Sequence, residues 1–156
     1  MLATLKLGEA HVSGSPFECK TGQRLRLRLW IENESGQTIR MLCDLPNGGD
    51  LVRWLKTNRD ALLNEPLPSN PVGKTSIAAW IKGFYDKVDP ENDPMGMVQA
   101  VYDYRQAHGL RFALRGMDVP DVYFRLFEEK YEVSIWNESE KWKYFIDLPV
   151  FLRSLK

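Results

Sequence analysis

The strongest constraint in this chain is that one order of residues occurs twice. Leu27, Leu29 and Ile31 alternate with polar residues and lead to Asn33-Glu34-Ser35, then Asp44-Leu45-Pro46, then Arg53, Leu55 and Lys56. Tyr131, Val133 and Ile135 lead in the same way to Asn137-Glu138-Ser139, Asp147-Leu148-Pro149, Arg153, Leu155 and Lys156. Period-two alternation of apolar and polar residues marks half-buried strands, and the Asn/Glu/Ser clusters mark turns. Each copy is therefore predicted to be a β-hairpin that runs into a helix.

Keeping the apolar residues of each hairpin on one face sets the expected register. In the first copy it places Ile31 opposite Ile39, Leu29 opposite Met41 and Leu27 opposite Cys43. In the second it pairs Ile135 with Trp142, Val133 with Tyr144 and Tyr131 with Ile146. Proline cannot donate to a ladder and suits a strand end or a helix start. Asp50 is the expected N-cap of a helix over 51–63, with Leu51, Trp54, Leu55 and Leu62 on one stripe. Further strand-like pieces precede each hairpin, at Thr4 to Leu7, Pro16 to Lys20, Leu110 to Leu114 and Val122 to Phe127.

Between the copies, the proline-rich stretch 64–73 excludes a helix or a central strand. Ile77, Trp80, Ile81, Phe84 and Val88 then form a helical stripe with Thr75 or Ser76 near its start. A second helix is expected from about Met95 to His108, ended by Gly109 as its C′ residue. The fold class is α+β: a mainly antiparallel sheet built from two related hairpin–helix halves, with helices packed on one face. The 156 residues fit a single domain, divided into a first half (1–63), a linker and helical insert (64–109) and a second half (110–156).

Lys plus Arg and Asp plus Glu both number 21, so the chain lacks the net positive charge typical of nucleic-acid binders, although a local patch remains compatible with this balance. No segment approaches the ~18 apolar residues of a membrane span, and the N-terminal residues lack a signal-peptide apolar run. These features predict a cytoplasmic protein with Cys19 and Cys43 as free thiols in or near the core.

Catalytic signatures are sparse. Gly73-Lys74-Thr75 matches the end of a phosphate-binding loop, but the glycine that motif needs five residues earlier is Pro68. His11 and His108 are far apart in sequence, and His108, near a helix end, suits the dipole as a cation. No ligand set has metal spacing, and there is no G-x-S-x-G. Asp118 with Asp121 and Glu128 with Glu129 are the carboxylate pairs available for acid–base work, and as charged loop residues they read as solvated. The chain is thus expected to be non-enzymatic and to carry no cofactor or metal.

Two features point to binding. Asp86, Asp89, Glu91 and Asp93 lie between two helices and are stiffened by Pro90 and Pro94. Such an acidic loop can meet a basic protein partner, a nuclease among them, or it can be a solvated turn. Arg24, Arg26 and Arg28 alternate with Leu25, Leu27 and Leu29, and Trp30 shares their face. In the second copy the same positions are Glu128, Lys130 and Glu132, so the repeat keeps the apolar face and not the basic one. The row is either the wet face of a strand, with Arg40 stacked on Trp30, or a nucleic-acid or anion-binding surface.

The paired hairpins, Trp30 to Cys43 and Trp136 to Ile146, together with the Asp86 to Asp93 loop, resemble the design of immunity proteins of bacterial contact-dependent and polymorphic toxin systems. The resemblance implies a small cytoplasmic protein without catalytic apparatus that neutralises a cognate toxin domain in a tight stoichiometric complex. Asp86, Asp89, Glu91, Asp93, Arg24, Arg26, Arg28 and Trp30 are the candidate partner-binding residues.

Overall fold

The computed structural model describes residues 2–10, 26–45, 48–69, 75–117 and 119–155. The first half contributes β1 (Thr4–Ala10), β2 (Arg26–Glu32) and β3 (Thr38–Leu45), followed by α1 (Gly49–Thr57) and α2 (Arg59–Asn64). The insert supplies α3 (Ile77–Lys87) and α4 (Met97–His108). A short α5 (Leu110–Ala113), β4 (Tyr123–Phe127), β5 (Lys130–Trp136), β6 (Lys141–Ile146) and α6 (Leu148–Ser154) complete the second half. The fold is α+β with two three-stranded antiparallel sheets, β1-β2-β3 and β4-β5-β6. The expected strand at Pro16 to Lys20 lies outside the described residues.

The repeat is real at the level of turns. Asn33 Oδ1 accepts from the backbone N–H of Ser35 at 3.1 Å and of Gln37 at 2.9 Å. Asn137 Oδ1 accepts from Ser139 and Glu140, each at 2.8 Å. An asparagine side chain thus closes each hairpin by mimicking a backbone turn.

The second hairpin has the expected register: Tyr131 faces Ile146, Val133 faces Tyr144 and Ile135 faces Trp142. The first does not. Leu27 pairs with Leu45, Leu29 with Cys43 and Ile31 with Arg40, with irregularities between Leu29 and Trp30 and between Ile31 and Glu32. Leu42 and Ile39 are the unpaired extra residues of these bulges. Leu42 and Cys43 are adjacent and both buried, which strict alternation forbids and a bulge allows. The bulges also displace the second part of the repeat. Asp44 is a strand residue facing Arg28, whereas Asp147 caps α6, its Oδ1 accepting from Val150 N–H at 3.1 Å.

Two other expectations are corrected. Leu110–Ala113 is a helical turn rather than a strand. Its start is held by Leu110 N–H on the Val122 carbonyl at 2.8 Å. The first long helix divides at Asn58 into α1 and α2; Gly48 stands at its N-cap position, and Asp50 lies within the first turn, paired with Arg53. Gly109 ends α4 in an extended conformation (φ −95°). Glycine is needed there for space: a Cβ would meet the Arg105 carbonyl at 2.8 Å and the Tyr123 ring at 2.9 Å.

Both sheets turn their apolar faces into one core. Leu5, Leu29, Ile31 and Leu45 from the first sheet join Phe124, Val133, Ile135 and Ile146 from the second. Leu51, Trp54, Leu55, Leu62, Leu110, Phe151 and Leu152 close it from the helices. Each such fully buried side chain contributes about 1.5–3 kcal/mol by removal from water. The sheets touch at one parallel bridge between Ala3 and Ile146, where Ala3 N–H donates to the Phe145 carbonyl at 2.8 Å. On the opposite face of the second sheet, Ile77, Ala78 and Ile81 of α3 form a second, smaller core with Tyr104 and Tyr123.

Candidate functional site

The two sheets present corresponding outer faces that are handled differently. In the second sheet, Arg125 and Glu132 are cross-strand partners directed away from the main core. Sequence alternation places Glu132 on a wet face, yet it is fully buried, as is Arg125. Arg125 Nη2 and Nε donate to Glu132 Oε2 at 2.7 and 3.1 Å, and Nη2 also donates to the Thr75 carbonyl at 3.2 Å. The other carboxylate oxygen, Oε1, accepts from Ile77 N–H at 2.7 Å, and Ser134 Oγ accepts from Ala78 N–H at 3.2 Å. Ser76 Oγ accepts from Ala79 N–H at 3.2 Å. Orphan N–H groups at the start of a helix need acceptors, and a carboxylate also complements the dipole there. Glu132 therefore fastens α3 over β4 and β5 and neutralises Arg125 at once.

In the first sheet, no helix of the described residues lies over the corresponding face. Arg28 occupies the position equivalent to Glu132, and its Nε sits 3.4 Å from the Asp44 carboxylate with both side chains partly exposed. Trp30 lies beside it, flanked by Lys6 on β1 and Met41 on β3. The six-membered ring of Trp30 packs against Gly8, where an added Cβ would come within 2.5 Å of it, and the Trp30 Nε1–H donates to Glu32 at 2.9 Å. Met41 is 50% exposed. Arg40 does not stack on Trp30, because the bulge turns it to the other side. Its guanidinium lies 6.0 Å from the Trp142 ring and 5.9 Å from the Tyr144 ring. Of the other two arginines, Arg26 stands in β2 opposite Ala10 and Arg24 lies outside the described residues.

The acidic loop is largely committed to local structure. Asp93 caps α4, with Oδ1 accepting from Met97 N–H at 2.9 Å and Oδ2 from Val98 N–H at 2.8 Å. Asp86 is paired with Lys82 one helical turn away at 2.5 Å. Asp89 closes a turn by accepting from Glu91 N–H at 3.0 Å. Asp86, Asp89 and Glu91 are all solvent-exposed, and Asp89 and Glu91 stand at the loop tip. The structure thus does not gather the acidic loop and the arginine strand into one site.

Among the remaining candidates, Cys43 is buried and its thiol is pushed up to about 11, which leaves it protonated at neutral pH. Cys19, His11, Asp118 and Gly73-Lys74 lie outside the described residues. His108 is not an exposed helix-end cation but is buried, with Nδ1 2.8 Å from the Tyr104 carbonyl and Nε2 3.1 Å from the Ala61 carbonyl. Burial holds its pKa below the ordinary imidazole value. Glu128 and Glu129 form the exposed β4–β5 turn, both with positive φ (47° and 66°). No group of three metal-ligating side chains occurs among the described residues, and none of their helices is long and apolar enough to cross a membrane. A recess of ≈ 210 Å³ at the seam between the sheets is lined by Leu2, Ala3, Ile39 and Phe145 among others, a largely apolar set without convergent acids.

The buried Arg125–Glu132 pair is the feature that reading the sequence missed. Its cue was an arginine inside the otherwise apolar run Val122–Phe127. No known family model, curated protein or solved structure matches the chain.

Proposed function

We propose that this chain is a non-enzymatic protein-binding module, an immunity protein that neutralises a cognate toxin domain in a stoichiometric complex. The observation that carries this reading is the contrast between the two outer faces. The second sheet's is covered by α3, whereas the first presents Trp30, Met41, Lys6 and Arg28 with no helix of the described residues over it. A large aromatic anchor ringed by long polar side chains is the composition of an interface hot spot. Arg28 and Trp30 are then contact residues, and Asp86 and Asp93 are not, since their carboxylates are used within the fold. Asp89 and Glu91 are secondary contacts at most.

The experiment is co-purification with the C-terminal domain of the protein encoded immediately upstream, followed by Trp30→Ala. A complex weakened at least roughly thirtyfold, the scale of a hot-spot residue, supports the reading. Absence of any complex, or one indifferent to Trp30, removes it. The competing reading is a nucleic-acid or anion-binding module using Arg24, Arg26 and Arg28. It predicts retention on a polyanion column that falls steeply with salt. The Asp44 carboxylate beside Arg28 and Glu32 beside Trp30 weigh against it.

A further inference from the structure

The outer face of β6 and the two ends of β5 remain exposed beside α3, and this strip is basic. Lys141 and Lys143 alternate with core-facing residues and emerge on the same side as Phe145. Lys141 Nζ lies 4.7 Å from the Trp136 ring centre, and Lys130 and Lys143 place their Nζ atoms 5.6 and 5.7 Å from that of Phe145. Trp136 is 43% exposed, and all three lysines are exposed. Rings beneath the lysine chains hold the ammonium groups in place, so less side-chain freedom is lost when an anion binds.

We infer that this strip docks an extended segment of the protein partner that carries carboxylates at alternate positions. The inference rests on the protein-binding reading and names the chemistry of the partner's contact. Spacing carries the first part of the argument. Lys141 and Lys143 are two residues apart on a strand, about 7 Å, which is also the spacing of same-side residues in an extended partner. The surroundings carry the second part. The strip is bounded at both ends by exposed acids, Glu128 and Glu129 at the β4–β5 turn and Glu138 and Glu140 at the β5–β6 turn. A short acidic segment fits between them, whereas a nucleic-acid backbone continuing past either end meets like charge. The lysine chains also lie against the aromatic rings, where bases would have to stack.

The test uses three fluorescein-labelled probes at low salt: a peptide alternating aspartate with serine, a peptide of the same composition with its aspartates in one block, and an oligothymidylate. Fluorescence anisotropy is expected to show the alternating peptide binding most tightly. Replacing Lys130, Lys141 and Lys143 with Gln should weaken it roughly tenfold, since exposed ion pairs are individually small. Lys87→Gln, at the end of α3, should leave it unchanged. Amide shifts of the wild-type protein on titration should centre on Lys141, Lys143 and Phe145, a readout that needs no variant to fold. Tighter binding of the oligothymidylate, equal response to both peptides, or shifts centred elsewhere would overturn the inference. Because these probes do not involve the toxin domain, failed co-purification with an intact peptide response would remove only the toxin reading. The reverse result would remove only the strip.

Discussion

The two meanders share turns, strand order and an inward apolar face, yet they use their outward faces oppositely. The second carries an arginine and a glutamate that would be unremarkable on a wet surface, and then buries both under α3. The first carries an arginine and an aspartate in a comparable cross-strand position and leaves them partly in water. The chemistry of the two pairs is nearly the same; the difference lies in desolvation. A buried pair gives little net stability over an apolar replacement, but removing one member strands the other charge. The part of the second face beneath α3 is committed to the fold, whereas the first has no helix of the described residues over it.

The sharpest way to break this comparison is Glu132→Ala, which leaves Arg125 buried without its counter-charge and α3 without its acceptor. Urea denaturation should show a loss of about 3–5 kcal/mol. A cost near that of an exposed pair would mean the two faces are energetically alike. Next in size is Trp30→Ala, expected to weaken the partner complex by about 2 kcal/mol or more in calorimetry while leaving the unfolding midpoint nearly unchanged.

The third concerns His108, on the helical side of the second meander. Burial lowers its folded pKa, so the unfolded chain takes up the proton first. Its contribution is therefore complete above the unfolded value of about 6.5 and is lost as pH falls below it, at about 1.4 kcal/mol per unit of depression. Glu65, raised by burial and the nearby Asp103 charge, acts in the opposite sense in the acid range. Stability measured in urea from neutral to mildly acidic pH should slope downward, and His108→Leu should flatten that slope.

A smaller effect, and a gain, is expected from Glu129→Gly. The β4–β5 turn holds two non-glycine residues at positive φ, where a two-residue hairpin favours glycine. Relief of about 1–2 kcal/mol of left-handed strain exceeds glycine's entropic cost of about 0.5–1 kcal/mol, so the unfolding free energy should rise slightly. The smallest is Asp44→Ala, which releases Arg28 on an exposed face and should cost no more than about 0.5 kcal/mol. A loss comparable to that of Glu132→Ala would show that the first face is also structurally committed.

Much of the architecture was legible because the two periodicities do not depend on distant contacts. The second hairpin's register follows from alternation alone. The first departs from it where Met41, Leu42 and Cys43 run consecutively, an interruption of alternation that only a bulge accommodates. Leu110–Ala113 reads as strand by composition and is helical where Leu110 N–H on the Val122 carbonyl and Phe112 N–H on the Gly109 carbonyl fix its start. At the site, Trp30 and Arg28 share a face as alternation requires, but whether a face is covered depends on where a helix from another segment comes to rest. No local pattern around Glu132 encodes that. The acidic loop also carries local cues. Lys82 four residues before Asp86, and Asp93 four before the first residue of α4, are local structural cues that outweigh an acidic cluster.

The hydrogen bond from Ala3 to Phe145 also bears on how the chain acquires its structure during synthesis. The first meander emerges early, but Leu5, Leu29 and Ile31 face residues such as Val133 and Ile135 that are still to be translated. A nascent first half therefore exposes an apolar sheet face until the second meander has left the ribosome. Non-local pairing of this kind slows folding and leaves incomplete chains prone to association. Any lesion that delays the second meander should reduce soluble yield more strongly than its effect on equilibrium stability would suggest.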